Sequence, residues 1–419
     1  MMKTLIMNAA QIATPIGKTA KHGSQMSEIR IIKNGAIYIE DEIIKKVGTT
    51  EEVLAELNLS KEVKVINAFQ KAIIPGFVDS HTHFVFGGYR EDEFIDRLQG
   101  IPYLDLLKRG GGIMKTVTDT RNASFEDLYE SGLKRLKNML KQGVTTTEGK
   151  SGYGLNKDCE IKQLKVMCEL NKNQPVDIVS TYLGAHAVAQ EYKNNTNGYV
   201  DYMINEVLPE IKKENLAEFC DVFCEEGVFS IDESKKLLEA AQKLGFKAKL
   251  HADEIVPLNG AELAAQLKAV SADHLLMISQ KGIESLAKEN VIATLLPCTA
   301  FCLDKPYAPA RKIIDGGCAV SLASDLNPGS CFSNSLPLIM ALAVIHMKMT
   351  IEEALTAVTL NAAAALDRAW EIGSIEVGKK ADLVILEYPS YKFLVYNTGA
   401  NIVEKVIKNG EIAYENSNY

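Results

Sequence analysis

Two histidines one residue apart, His81 and His83, close the apolar run "AIIPGFV" in the stretch "DSHTHFVFGG" (79–88). Alternate side chains of a strand share a face, so both imidazoles would converge on one point. Converging neutral imidazoles suit a divalent cation far better than they suit a hydrophobic core. Other apolar runs break into ionisable residues in the same way: Glu148, His186, Glu225 with Glu226, His251 with Glu254, His274 and Asp325. Each has a plainer reading when taken singly. A strand histidine is more often a hydrogen-bonded core residue, Asp325 in "SDLNPGS" could start a turn, and Glu148 could pair with Lys150. Five of these strands, closing at His81, Glu148, His186, Glu254 and Asp325, end in the same chemistry and point to one shared site. His22 and His346 lie away from the strand ends and receive no role.

The elements that would position these residues alternate along the chain. Strand-like runs occur at 72–81, 144–150, 177–186, 217–223, 246–254, 271–277, 290–297 and 318–325. Helical runs separate most of them. "SFEDLYESGLKRLKNMLKQG" carries Ser124 as a cap and Gly143 at its end, and Ser230 with Glu233 forms a capping box ahead of "KKLLEAAQKLG". Eight such units fit either a (β/α)8 barrel or a doubly wound open sheet. In an open sheet the ionisable strand ends would stay apart, whereas in a barrel they ring one mouth, so the chemistry favours the barrel. Residues 1–72 and 371–419 share a different texture of short β-like runs with Asn-Gly turn signals at 34–35 and 409–410. We therefore expect a TIM-like barrel over 73–370, flanked by one small β-sandwich domain built from both termini.

Composition excludes several classes of function. The 419 residues carry a net charge of −8, are 47% hydrophobic and 24% charged, and have a pI near 5.6. Such a balance argues against sequence-independent nucleic-acid binding. The longest apolar stretch, "LPLIMALAVI" (336–345), is about half of what a bilayer span needs, and the N-terminus does not read as a secretory signal. The expected location is cytoplasmic. None of the eight cysteines forms a CxxC pair, and the plain reading is free buried thiols. "RGGGI" (109–113) lacks the spacing of a phosphate cradle and reads as a loop, and no serine-centred nucleophile elbow is present.

"PGFVDSHTH", "HADE", the "DH" of 273–274, "SDLNPGS" and "GSIEVGKKADLVI" together resemble the amidohydrolase superfamily, over essentially the whole chain. Four loop motifs, "FVFGGYREDEF", "GGGIMKTVTDTR", "EGKSGYGL" and "LGAHAV", look like its branch that opens 4-imidazolone-5-propanoate to N-formimidoyl-glutamate in histidine degradation. The resemblance implies one metal ion, zinc or iron, held by His81, His83, His251 and Asp325, with bound water as the source of hydroxide. It implies Glu254 as the proton carrier, His274 as the partner of the carbonyl or oxyanion, and Asp325 as a second proton shuttle. It assigns substrate contacts to Arg90, Tyr153, His186, Glu254, Asn327, Gly329 and Ser330. Arg90 offers a planar fork for a carboxylate tail, its plainer reading being a surface salt bridge with Glu91 or Asp92. Two-metal members of the superfamily usually bridge their ions with a lysine on strand four. "EFCDVFCEEG" has no lysine, so a single ion is expected.

Two other readings compete. A deaminase acting on an amino-substituted heterocycle would use the same histidines and carboxylates, but would have no substrate carboxylate for Arg90 to bind. A catalytically dead scaffold would have lost a ligand or the acid/base pair, and none is missing. A homodimer is expected only as the commonest state of soluble enzymes.

Overall fold

The computed structural model describes residues 3–55, 57, 63–101 and 111–416. Five strands precede the barrel: β1 (Lys3–Pro15), β2 (Ile29–Glu40), β3 (Ile43–Thr49), β4 (Lys64–Asn67) and β5 (Ala72–Pro75). The barrel strands are β6 (Phe77–Asp79), β7 (Val144–Lys150), β8 (Asp177–Ala185), β9 (Phe219–Cys224), β10 (Lys247–Ala252), β11 (Ser271–His274), β12 (Ile292–Leu295) and β13 (Val320–Leu322). Three more follow: β14 (Leu383–Leu386), β15 (Val403–Lys408) and β16 (Glu411–Glu415).

β6 to β13 pair in chain order, each parallel to the next, as the eight strand-like runs foretold. The row closes just beyond its strand ends, where the Asp325 N–H donates to the His81 carbonyl (3.0 Å) and the His83 N–H to the Leu326 carbonyl (2.9 Å). Helices cover the outside. The helix Phe125–Lys141 starts at the capping box of Ser124 and Asp127, and Ile231–Lys243 at that of Ser230 and Glu233. Gly143 stops the first at φ +91°, in the left-handed region that favours glycine.

Both termini build one mixed eight-stranded sheet, ordered β16-β15-β14-β5-β1-β2-β3 with β4 on β1. It has its own apolar core, including Ile6, Ile12, Ile37, Ile73, Leu383 and Ile407. The run 72–81, read as a single strand, holds two: β5 joins the terminal sheet and β6 joins the barrel. Gly76 makes the turn-off, and a Cβ there would stand 2.3 Å from Thr145 Oγ1. The two Asn-Gly signals also part company. Asn409 and Gly410, at φ +51° and +81°, turn the hairpin between β15 and β16. Asn34 and Gly35 lie inside β2, opposite the register shift in β1, and the turn from β2 to β3 falls at Asp41 (φ +52°) instead. Gly35 is required there by packing, since a Cβ would meet the Ile12 side chain at 2.5 Å.

Of "RGGGI", Arg109 and Gly110 lie outside the described residues. Gly112 (φ +79°) donates its N–H to Glu93 Oε2 at 2.8 Å.

Candidate active site

The strand ends bring His81, His83 and His251 together, with one ligand atom from each lying within 4.8 Å of the others. His81 Nε2 stands 3.3 Å from His83 Nε2, and Asp325 Oδ1 lies 3.5 Å and 3.6 Å from these two nitrogens. All four side chains are buried. Asp325 arrives from beyond β13 with its backbone at φ +52°, and the Thr299 hydroxyl donates to its Oδ2 at 2.6 Å.

The outward nitrogens face carboxylates. His81 Nδ1 is 2.6 Å from Asp273 Oδ2, and His251 Nδ1 is 3.0 Å from Asp221 Oδ2. Such outer partners fix imidazole orientation at metal centres. Burial, and then the Lys150 charge, hold His81 well below the usual histidine range; burial, and then His186, do the same for His83. His251 is raised, because the neighbouring Asp221 carboxylate outweighs the burial that opposes it. His251 Nε2 and His83 Nδ1 are buried without a hydrogen-bond partner among the described residues. Each unpaired atom of this kind costs about 1–3 kcal/mol. The donor set and the unpaired imidazole nitrogen of His251 fit a metal ion.

Beneath the histidines, inward-facing side chains of β7, β9, β10 and β11 form a charged floor. Lys150 Nζ reaches Asp221 (2.7 Å), Glu148 (3.1 Å) and Asp273 (3.5 Å), while Lys249 Nζ reaches Glu148 (2.9 Å) and the Ser80 carbonyl (3.2 Å). All five charged groups are fully buried. Burial alone would push Asp221 up and Lys150 down. His251 and Lys150 override it for Asp221, and the three carboxylates override it for Lys150. Glu148 therefore belongs to the floor, as its plain pairing with Lys150 allowed. Lys249, Asp221 and Asp273 lie inside the strands rather than where the apolar runs stop, so the strand-end signal does not single them out. The period of two was the available signal: Lys249 precedes His251 by two positions, so both face inward.

Glu254 and His274 stand together at the mouth, Oε1 to Nδ1 at 3.5 Å. Burial, and then the Asp325 charge, push the Glu254 carboxyl up to about 8. Asp325 is itself raised to about 6, chiefly by burial. His274 holds a left-handed backbone, φ +75°, a strained conformation for a non-glycine residue. His186 stacks on His83 with centroids 4.8 Å apart, its Nδ1 lies 3.2 Å from the Gly152 carbonyl, and Tyr153 lies beside both rings. Glu225 accepts the Ile255 and Val256 N–H groups (2.8 and 3.3 Å), and Glu226 is exposed.

Arg90 lines a pocket of about 390 Å³ together with Tyr89, Phe94, Gly329, Ser330 and Phe332. Its salt bridge is to Glu93, through Nε (2.9 Å) and Nη2 (2.5 Å), rather than to Glu91 or Asp92. Its Nη1 lies against Gly329, where a Cβ would stand only 2.1 Å away. Asn327 braces this loop from within: its Oδ1 accepts the N–H groups of Gly329 (2.9 Å) and Ser330 (2.8 Å), and its Nδ2 donates to the Asp325 carbonyl (2.7 Å). Rings of Tyr153, Phe86, Tyr89 and Phe332, with successive centroids 5.7–6.3 Å apart, connect the histidines to this pocket.

A buried histidine triad and a carboxylate at the mouth of a parallel barrel define a hydrolase of the amidohydrolase kind. Residues 105–414 match the amidohydrolase family, and the chain belongs to it. An imidazolonepropionase from Parabacteroides distasonis is 58% identical over 98% of each chain. Another from Clostridium tetani is 56% identical, covering 99% of this chain and 98% of its own. Within the family, the chain belongs with the imidazolonepropionases. Among solved structures, E. coli guanine deaminase is similar over 100% of both chains, with a TM-score of 0.74 at 15% identity, which shows the fold alone.

Proposed function

We propose that the chain opens the cyclic amide of 4-imidazolone-5-propanoate to give N-formimidoyl-L-glutamate, using one zinc or iron ion held by His81, His83, His251 and Asp325. The convergence of three histidine nitrogens within 4.8 Å, one of them left unpaired in a buried site, carries the reading. A metal held there supplies Lewis acidity that brings the pKa of water down to about 7.

The protein's own groups do the rest. The Glu254 carboxylate accepts a proton from the attacking water, whose oxygen bonds to the ring carbonyl carbon. His274 keeps Nδ1 toward Glu254 and offers its other ring nitrogen to the carbonyl oxygen as negative charge builds there. Asp325 takes the remaining hydroxyl proton of the tetrahedral adduct and passes it to the departing ring nitrogen as the C–N bond breaks, leaving a carboxylate, while Glu254 releases its proton to solvent. Arg90 receives the propanoate tail on the part of its guanidinium beside Gly329 and Ser330. Tyr153 and His186 flank the ring, and Asn327 holds the loop that presents Gly329. We place this reaction in the cytoplasm and take the working unit to be a homodimer, which sedimentation of the metal-loaded protein tests.

The test is to follow the ring's ultraviolet absorbance when metal-loaded protein meets fresh 4-imidazolone-5-propanoate. Fast loss that His251→Ala abolishes and Arg90→Ala slows supports the reading. Loss at the spontaneous rate with metal bound rejects it, and turnover of an amino-substituted heterocycle in its place would identify a deaminase.

A further inference from the structure

A second cluster of soft donors lies on the far side of Asp325. Cys298 and Cys302 are four positions apart on the short helix Pro297–Cys302, a spacing that stacks them on one helix face. Cys331, in the loop after β13, completes the group, and the three sulfurs lie within 4.8 Å of one another. All three are free thiols. Cys298 and Cys331 are almost wholly buried, while Cys302 is half-buried and borders the Arg90 pocket. The arrangement has a shielded base of two sulfurs and a third at an open rim, so an ion has a way in.

From this geometry we propose that Cys298, Cys302 and Cys331 form a second metal site, separate from the histidine centre, for a thiophilic d10 cation such as Zn(II) or Cd(II). Three sulfur donors select soft ions over the hard cations that prefer oxygen. On binding, each S–H bond gives its proton to solvent and an S–metal bond forms, with no change of oxidation state. The site ties together the two segments that hold Asp325. Thr299, between the two helical cysteines, donates to Asp325 Oδ2 (2.6 Å), and Cys331 is tied to the loop after Asp325 by the Asn327 N–H on its carbonyl (2.8 Å). An ion on the sulfurs therefore clamps the support of a residue at the mouth without touching the histidines.

Cadmium is the probe, because its thiolate complexes absorb in the ultraviolet and its histidine or carboxylate complexes do not share that band. Full-length protein, already metal-loaded at the histidine centre, is titrated with cadmium alone under reducing conditions. We expect a thiolate band that saturates at one ion per chain. Its amplitude falls by about a third or more when one of three sulfurs is removed in Cys302→Ser, with circular dichroism unchanged. Cys298→Ala provides a second variant on the same helix face with the same expected loss. No band at excess cadmium, or a band of unchanged amplitude in both variants, overturns the site.

Discussion

The mouth of the barrel and the floor beneath it are adjacent layers, Lys249 lying two positions before His251 and Asp273 one before His274, yet they differ in how their polar groups are met. The mouth gathers imidazoles and raised carboxyls whose polar atoms are partly unpaired: His251 Nε2, His83 Nδ1 and His274 Nδ1 have no hydrogen-bond partner among the described residues. The floor gathers two lysines and three carboxylates whose ion pairs span 2.7–3.5 Å, and Glu148 Oε2, a member of one such pair, is its one atom without a hydrogen bond among the described residues. Unmet bonding capacity marks the layer that takes a ligand. Mutual pairing marks the layer that holds it in place, because Asp221 and Asp273 each face both a lysine below and a histidine above.

The contrast predicts that changes in the mouth cost rate and changes in the floor cost stability. The largest effect on rate belongs to His251→Ala, which should lower kcat/KM by at least about a thousandfold and abolish stoichiometric metal in elemental analysis. Glu254→Gln should retain metal and lose about 10²–10⁴-fold in rate. The base must be ionised to act, so the wild-type rate rises with pH, about tenfold per unit, until Glu254 has lost its proton. The carboxyl sits at about 8, and a cation on the histidines lowers that point further. A pH–rate profile whose acid limb survived Glu254→Gln would assign the limb to another group.

In the floor, Lys150→Met leaves Asp221, Glu148 and Asp273 short of a cation and should cost about 3–5 kcal/mol in denaturant unfolding. Unchanged stability would mean that the floor is not the brace described here. The smallest expected effect is at the rim. Arg90→Ala should raise KM about 10–100-fold, the loss of a charge-assisted contact, with a lesser change in kcat. It should also leave the KM of a substrate analogue lacking the carboxylate unmoved.

Strand ends were legible in the sequence because apolar runs there stop at ionisable residues. The cap at Ser124 and the capping box at Ser230 were legible because their signal is local. The floor was harder to read, since Lys249 and Asp221 find their partners on other strands and only the inward period hints at it. The same limit explains the Asn-Gly pair at 34–35. The dipeptide permits a turn, but β2 continues through it and pairs with β1 on both sides of the register shift. The break at Gly76 was hidden for a related reason, because β5 and β6 are equally apolar and differ only in which sheet they join. The cysteine cluster needed Cys331, 29 positions beyond Cys302 (331 − 302), to come alongside the helix.

The closure of the barrel has a temporal consequence. His81 comes from the first barrel strand and Asp325 from the end of the last, and the seam between them is joined by the Asp325 N–H on the His81 carbonyl. The proposed ligands therefore straddle the seam. A chain emerging from the ribosome holds His81 and His83 long before Asp325 has been made, and it cannot complete the coordination until the last strand docks. Acquisition of the ion and completion of the fold would then be a single event, and unfinished chains would remain without activity.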